Sequence, residues 1–136
     1  MHTTQISHIR DGEGTLLAIC VPAEYSAEKI EFITPPENNF QVGLMSRSQD
    51  QPVTAHIHNP IQRQIVGTQE FLIVRQGSMK VTLMSVKGEL AAKLHLNKGD
   101  SILLISGAHQ IDFDGKCELL EVKQGPFNSL EDKVQL

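Results

Sequence analysis

The sequence predicts an all-β protein, a sandwich or a barrel, and three observations carry that reading. Short apolar runs recur along the chain, each bounded by glycine, proline or Asn/Asp turn residues. No stretch keeps the 3.6-residue apolar spacing of a long amphipathic helix. Trp is absent and aromatics make up only 4% of residues, so Leu, Ile and Val must build the core, and β-branched residues favour strands. No repeat, low-complexity tract or linker stands out. Residues 1–136 therefore read as a single domain long enough to bury a core.

The elements follow in order. Residues 15–21, TLLAICV, are short, apolar and bounded by Gly14 and Pro22, which reads as a buried strand. Residues 23–29 suit one helical turn or a loop. An extended segment at 30–33 is stopped by Pro35 and Pro36, which lack backbone donors. After a turn at 37–39, residues 40–47, FQVGLMSR, read as a strand with a glycine inside it. A polar turn at 48–52 leads to a strand at 53–58 that ends in two histidines. Gly67 and Gly77 bound the strand 69–76, QEFLIVRQ, and 78–86 is expected to pair with it as a hairpin across Gly77. Turns at 87–89 and 97–100 frame a strand at 90–96. Strands at 101–105, 109–113 and 117–122 are separated by Gly107 and by the hairpin signal Asp114-Gly115. Beyond Pro126, Ser129 and Asp132 have capping-box spacing, which suits a short helix or an extended tail.

Composition excludes several functions. The formal charge is −4 and no Lys/Arg cluster is present, so a nucleic-acid phosphate footprint is not expected. No apolar run is long enough to span a bilayer, and the first residues lack the apolar core and cleavage site of a signal peptide. A cytoplasmic protein with no membrane partner is expected. Cys20 and Cys117 are far apart, each in an apolar stretch, and read as buried free thiols of a reducing compartment. Gly12 and Gly14 make no dinucleotide fingerprint, and no Gly-x-Ser-x-Gly, P-loop or HExxH is present.

The chemistry-bearing stretch is 56–77, HIHNPIQRQIVGTQEFLIVRQG. Strand residues i and i+2 share a face, so His56 and His58 would stand side by side, roughly 7 Å apart at Cα. A chain that turns back through 62–67 brings Glu70 alongside as a third ligand. Two histidines and a carboxylate suit a divalent first-row metal with open positions. Glu70 opens an apolar strand, and a buried carboxylate needs a partner charge. A metal would supply one, and Arg63 and Arg75 are the competing partners.

At these residues the chain resembles the cupins, small double-sheet jelly rolls. Their first motif has the form G-x5-H-x-H-x3or4-E-x6-G. His56-Ile57-His58 matches its H-x-H, and Glu70 and Gly77 match its E-x6-G. Their second motif has the form G-x5-P-x-G-x2-H-x3-N. Gly99 opens it here, Gly107 takes the glycine place and His109 the histidine place. Asp50, Ile105 and Phe113 stand at the places of the leading glycine, the proline and the asparagine, and one residue rather than two separates Gly107 from His109. Eleven residues lie between His58 and Glu70, and Gln62 and Arg63 hold the usual glutamate places. A longer hairpin loop accounts for this, because loop insertions cost little, whereas a one-residue slip would turn Glu70 to the other face. The wording GTQEFLIV…GD…LLISGAH…EVKQGP is also similar to bacterial cupins of surface-polysaccharide gene clusters.

The resemblance implies a jelly-roll barrel and a divalent metal (Fe, Mn, Ni, Zn, Co or Cu) held by His56, His58, Glu70 and His109. It implies a homodimer and a small-molecule ligand such as a sugar derivative. An isomerase, lyase or dioxygenase, a non-catalytic binding module and a metal-free epimerase with a histidine base all remain open. Arg63 and Gln64 lie on the long loop, where Arg63 would grip a carboxylate or phosphate if the loop borders the barrel mouth. The competing reading is a solvated arginine. Lys123 and Gln124 follow the last strand and either reach the cavity or end in solvent. Asp112 and Asp114 alternate with Ile111 and Phe113 and read as a wet face, while His2, His8 and His95 have no constellation around them.

Overall fold

The computed structural model describes residues 3–127 and 133–136, so the expected helix start at 129–132 lies outside the described residues. Ten strands form in chain order. They are β1 (Ser7–Arg10), β2 (Leu16–Val21), β3 (Ile30–Phe32), β4 (Gly43–Met45), β5 (Glu70–Gln76), β6 (Ser78–Met84), β7 (Leu90–Asn97), β8 (Ser101–Leu104), β9 (Ala108–Phe113) and β10 (Glu118–Lys123). Every pairing is antiparallel, and no helix occurs among the described residues. The chain forms two compact units, Met1–Tyr25 with Thr68–Leu136, and Ser26–Gly67.

The larger unit holds a five-stranded sheet in the order β1-β2-β8-β5-β10 and a three-stranded sheet in the order β7-β6-β9. Alternation along each strand decides what these sheets bury. Leu72 and Val74 of β5, Ile102 and Leu104 of β8 and Ala18 of β2 meet Met79, Val81 and Leu83 of β6 and Leu96 of β7 in one core. Burying each of the larger side chains contributes about 1.5–3 kcal/mol. β8 is buried on both faces, which is why SILL reads as a continuous apolar run.

The hairpins expected at Gly77 and at Asp114-Gly115 do not form. β5 pairs with β8 and β10, whereas β6 pairs with β7 and β9, so the chain crosses from one sheet to the other at Gly77. The step from β9 to β10 crosses back. Two apolar inner faces with the same period leave the choice of ladder partner open in the sequence. At 87–89 the expected turn does join ladder neighbours, β6 and β7. The first strand escaped the sequence reading because SHIR is polar; pairing with β2, Ser7 opposite Cys20, holds it.

In the smaller unit β3 pairs with β4, Ile30 opposite Met45. Gln41 organises the intervening loop, with Nε2 donating to the carbonyls of Pro35 and Asn38 at 2.9 and 3.0 Å. The strand expected over 40–47 shrinks to Gly43–Met45. The strand expected at 53–58 is not formed, and residues 47–67 hold none. Pro52 and Pro60, which cannot donate to a ladder, bracket that segment.

Candidate functional site

Strand register places Glu70 and His109. Glu70 opens β5 and shares its face with Leu72 and Val74, opposite Leu104 on one side and Lys123 on the other. His109 of β9 sits opposite Leu83 and shares its face with Ile111. Both continue the inner faces of their sheets beyond the apolar core. There they meet, His109 Nε2 lying 4.0 Å from Glu70 Oε1, with side chains 33% and 26% exposed.

Burial holds the His109 imidazole below its ordinary pKa; Glu121 opposes this and Lys133 adds to it. A neutral imidazole keeps a lone pair for a metal or a proton. Two metal–ligand bonds of roughly 2.1 Å each reach at most about 4.2 Å between donors, so one ion can bridge this pair. An imidazole nitrogen and a carboxylate oxygen suit borderline divalent ions. The donor set therefore fits such a metal, although it accounts for only two ligands.

The other expected ligands lie in the smaller unit. His56 and His58 are exposed, with ring centroids 5.0 Å apart in an edge arrangement. His56 Nδ1 lies 2.8 Å from the carbonyl oxygen of Thr54. The rings are neighbours, as i and i+2 spacing requires of extended backbone, without a ladder to hold them. Arg63 and Gln64 are exposed in the same strandless segment. Within either unit, among the described residues, no three His, Cys, Asp or Glu side chains converge on one point.

Arg75, weighed above as a partner for Glu70, points away from it and pairs with Glu118 at 3.3 Å. Lys123 stands opposite Glu70 in the ladder, with Nζ 5.8 Å from the centre of the Phe127 ring. Gln124 Oε1 accepts the N–H of Gln69, next to Glu70. Gln124 Nε2 is buried with no partner among the described residues, an arrangement that costs about 1–3 kcal/mol unless a ligand supplies an acceptor.

Glu121 is the residue that sequence reasoning missed. It lies opposite Leu72 and so shares the inner face with Lys123. The apolar pattern of ELLEVK would turn Leu120 and Val122 inward, yet these are 46% and 51% exposed. A register irregularity between Glu118 and Leu119 accompanies this choice of face. His95, read above as isolated, has its Nε2 2.8 Å from Asp114 Oδ2, and Ser78 Oγ donates to the same oxygen at 3.0 Å. Asp114 is exposed as expected but is not idle there. Cys20 and Cys117 are free, and both are half-buried rather than fully buried.

Fold and site together define an all-antiparallel β protein with a carboxylate–imidazole pair at the polar end of its inner faces. No family model matches the chain, and neither a curated protein nor a solved structure is significantly similar to it.

Proposed function

We propose that the chain is a metal-binding jelly roll of the cupin type that acts on a polar small molecule, a sugar derivative being the class its sequence resemblance suggests. The meeting of Glu70 and His109 carries this reading. An acid and a base sit where strand alternation calls for apolar side chains, and such a departure is expected where function outweighs packing. His56 and His58 enter as the further ligands on their H-x-H spacing alone. A bound divalent ion would supply Lewis-acid polarisation of a carbonyl or of paired hydroxyls. Glu70 offers a carboxylate, His109 a neutral imidazole and Lys123 a cation opposite Glu70. Arg63 and Gln64 are kept as contacts for a polar ligand.

Elemental analysis of untagged protein beside His58→Ala, Glu70→Ala and His109→Ala tests this. The expected result is near-stoichiometric metal in the parent and loss in all three variants. Loss in Glu70→Ala and His109→Ala alone would confine the site to the larger unit. An empty parent after reconstitution with each candidate ion would overturn the proposal. A second reading, a binding module without catalysis, is favoured by the absence of three converging ligands within either unit among the described residues. It expects ligand binding that survives chelation.

A further inference from the structure

A separate cleft opens where β1, β2 and β7 adjoin in the larger unit, with a volume of about 300 Å³. This lies at the small end of the roughly 300–1,000 Å³ range of ligand sites. Strand alternation decides which side chains face it. Ser7 and Cys20 are partners in the β1–β2 ladder and share the face of Ile9 and Ala18, which pack in the core. Leu94 and Leu96 bring the same core to the cleft from β7. Lys93 and His95 border it too, but they alternate with these leucines. Their side chains therefore stand on the outer face of the sheet, His95 with Nε2 2.8 Å from Asp114 Oδ2. β1 and β7 are edge strands of their sheets, so the core stays open here.

The charge that reaches the cleft is negative. Asp100 lines it from the turn between β7 and β8. Gly99, at φ +89°, packs that turn against the chain after β2, where a Cβ on it would lie 2.8 Å from Ala23 Cβ. Across this close approach Asp100 Oδ1 accepts the N–H of Ala23, while Oδ2 accepts the N–H of Asn97, each at 2.8 Å. An ionised carboxylate has about four acceptor sites, so each oxygen keeps one open. The two backbone donors fix the group but bring no net charge to it. No Lys, Arg or His among the described residues lies within ion-pair distance of Asp100. Burial first, and the Asp100 charge second, push the Cys20 thiol above its ordinary pKa, so the carboxylate acts on the cleft wall itself.

We propose that this cleft is a second binding site, for a small organic cation whose primary ammonium meets Asp100 and the Ser7 hydroxyl and whose alkyl body lies against Leu94, Leu96 and Pro22. An ammonium brings three donors and a full positive charge to a fixed carboxylate with open acceptor sites, and such charge-assisted bonds are roughly twice as strong as neutral ones. The leucine and proline wall favours an alkyl group over a hydrated inorganic ion. The site is distinct from the Glu70–His109 pair and does not rest on it. Glu70 stands opposite Leu104, the last residue of β8, whereas Asp100 precedes the first.

Amide-resolved NMR titration on the intact chain at pH 7 tests the proposal with three probes of one length. They are n-butylammonium, charged there as a lysine side chain is, the uncharged n-butanol and the anion butyrate. The ammonium should give saturable shifts at Ser7, Cys20, 94–96 and Asp100. Butanol should bind at least tenfold more weakly, and butyrate more weakly still. Asp100→Asn should weaken the ammonium at least tenfold. Because Asp100 also holds two backbone donors, Ser7→Leu serves as a second variant. It fills the cleft from an edge strand, should abolish binding, and should retain the dispersion of the parent spectrum. No saturable shift at these amides, equal binding of butanol or butyrate, or undiminished binding by either folded variant would each overturn the proposal. Shifts confined to Glu70 and His109 would also overturn it, by placing the cation at the other site.

Discussion

Gly107 and Gly88 both adopt positive φ, +74° and +85°, yet they differ in what surrounds them. A Cβ at Gly107 would lie 2.4 Å from the Met84 carbonyl oxygen and 2.7 Å from Leu17 Cδ2, whereas at Gly88 it would meet open space. Gly88→Ala should therefore cost only the backbone term, about 1–2 kcal/mol. Gly107→Ala should add a packing penalty of about 1–3 kcal/mol, and urea denaturation of both variants checks the order. The Cys20 thiol makes a second prediction at this scale. Burial, reinforced by Asp100, pushes its pKa from 9.0 up to about 11. An unfolded thiol ionises from about pH 8.5, so the unfolded state gains stability first as pH rises. Cys20 thus contributes stability that is present below pH 9 and lost as pH rises towards 11. Urea midpoints measured from pH 8 to 11 should fall more steeply for the parent than for Cys20→Ala.

At the scale of the strand, face decides the effect of a substitution. Leu83 is 1% exposed on the inner face of β6, and Leu120 is 46% exposed on β10. Leu83→Ala should cost about 2–5 kcal/mol, because the removed methyl groups leave a cavity. Leu120→Ala should change stability by only about 0.5 kcal/mol, as surface substitutions do. Similar effects from the two, measured by chemical denaturation, would mean that β10 turns its other face inward and that Glu121 and Lys123 do not share the inner face with Glu70. Glu70→Leu probes the polar end of that face directly. An apolar side chain extends the Leu72–Val74 row, so urea denaturation should show stability held or raised, and under the proposed function metal uptake should fall.

Across the molecule, protection should follow the sheets. Strands β2, β5, β6 and β8 have ladder neighbours on both sides, and the core cluster is drawn largely from them. Residues 47–67 hold no strand. Hydrogen exchange should be slowest in those four strands and fast through 53–66, since strandless exposed backbone opens without disturbing a ladder. Slow exchange at 53–58 would restore the strand that the sequence suggested there.

Local chemistry made most strands legible. Apolar runs closed by Gly14, Gly67, Gly88 and Gly99 located β2 and β5 to β8 to within a residue or two, because strand period and turn glycine are properties of short segments. Glu70 was likewise legible as a carboxylate opening an apolar strand, whereas His109 was singled out only by its place in the second motif of the resemblance. Only the tertiary structure decided that the chain changes sheets at Gly77, that polar SHIR becomes an edge strand, and that ELLEVK sets Glu121 rather than Leu120 on the face shared with Glu70 and Leu72. Only it brought Asp114 across β6 to His95. The physical reason is that ladder partner, strand face and side-chain neighbour are set by what packs from elsewhere in the chain, and two inner faces of equal period carry no local mark of which pairs with which.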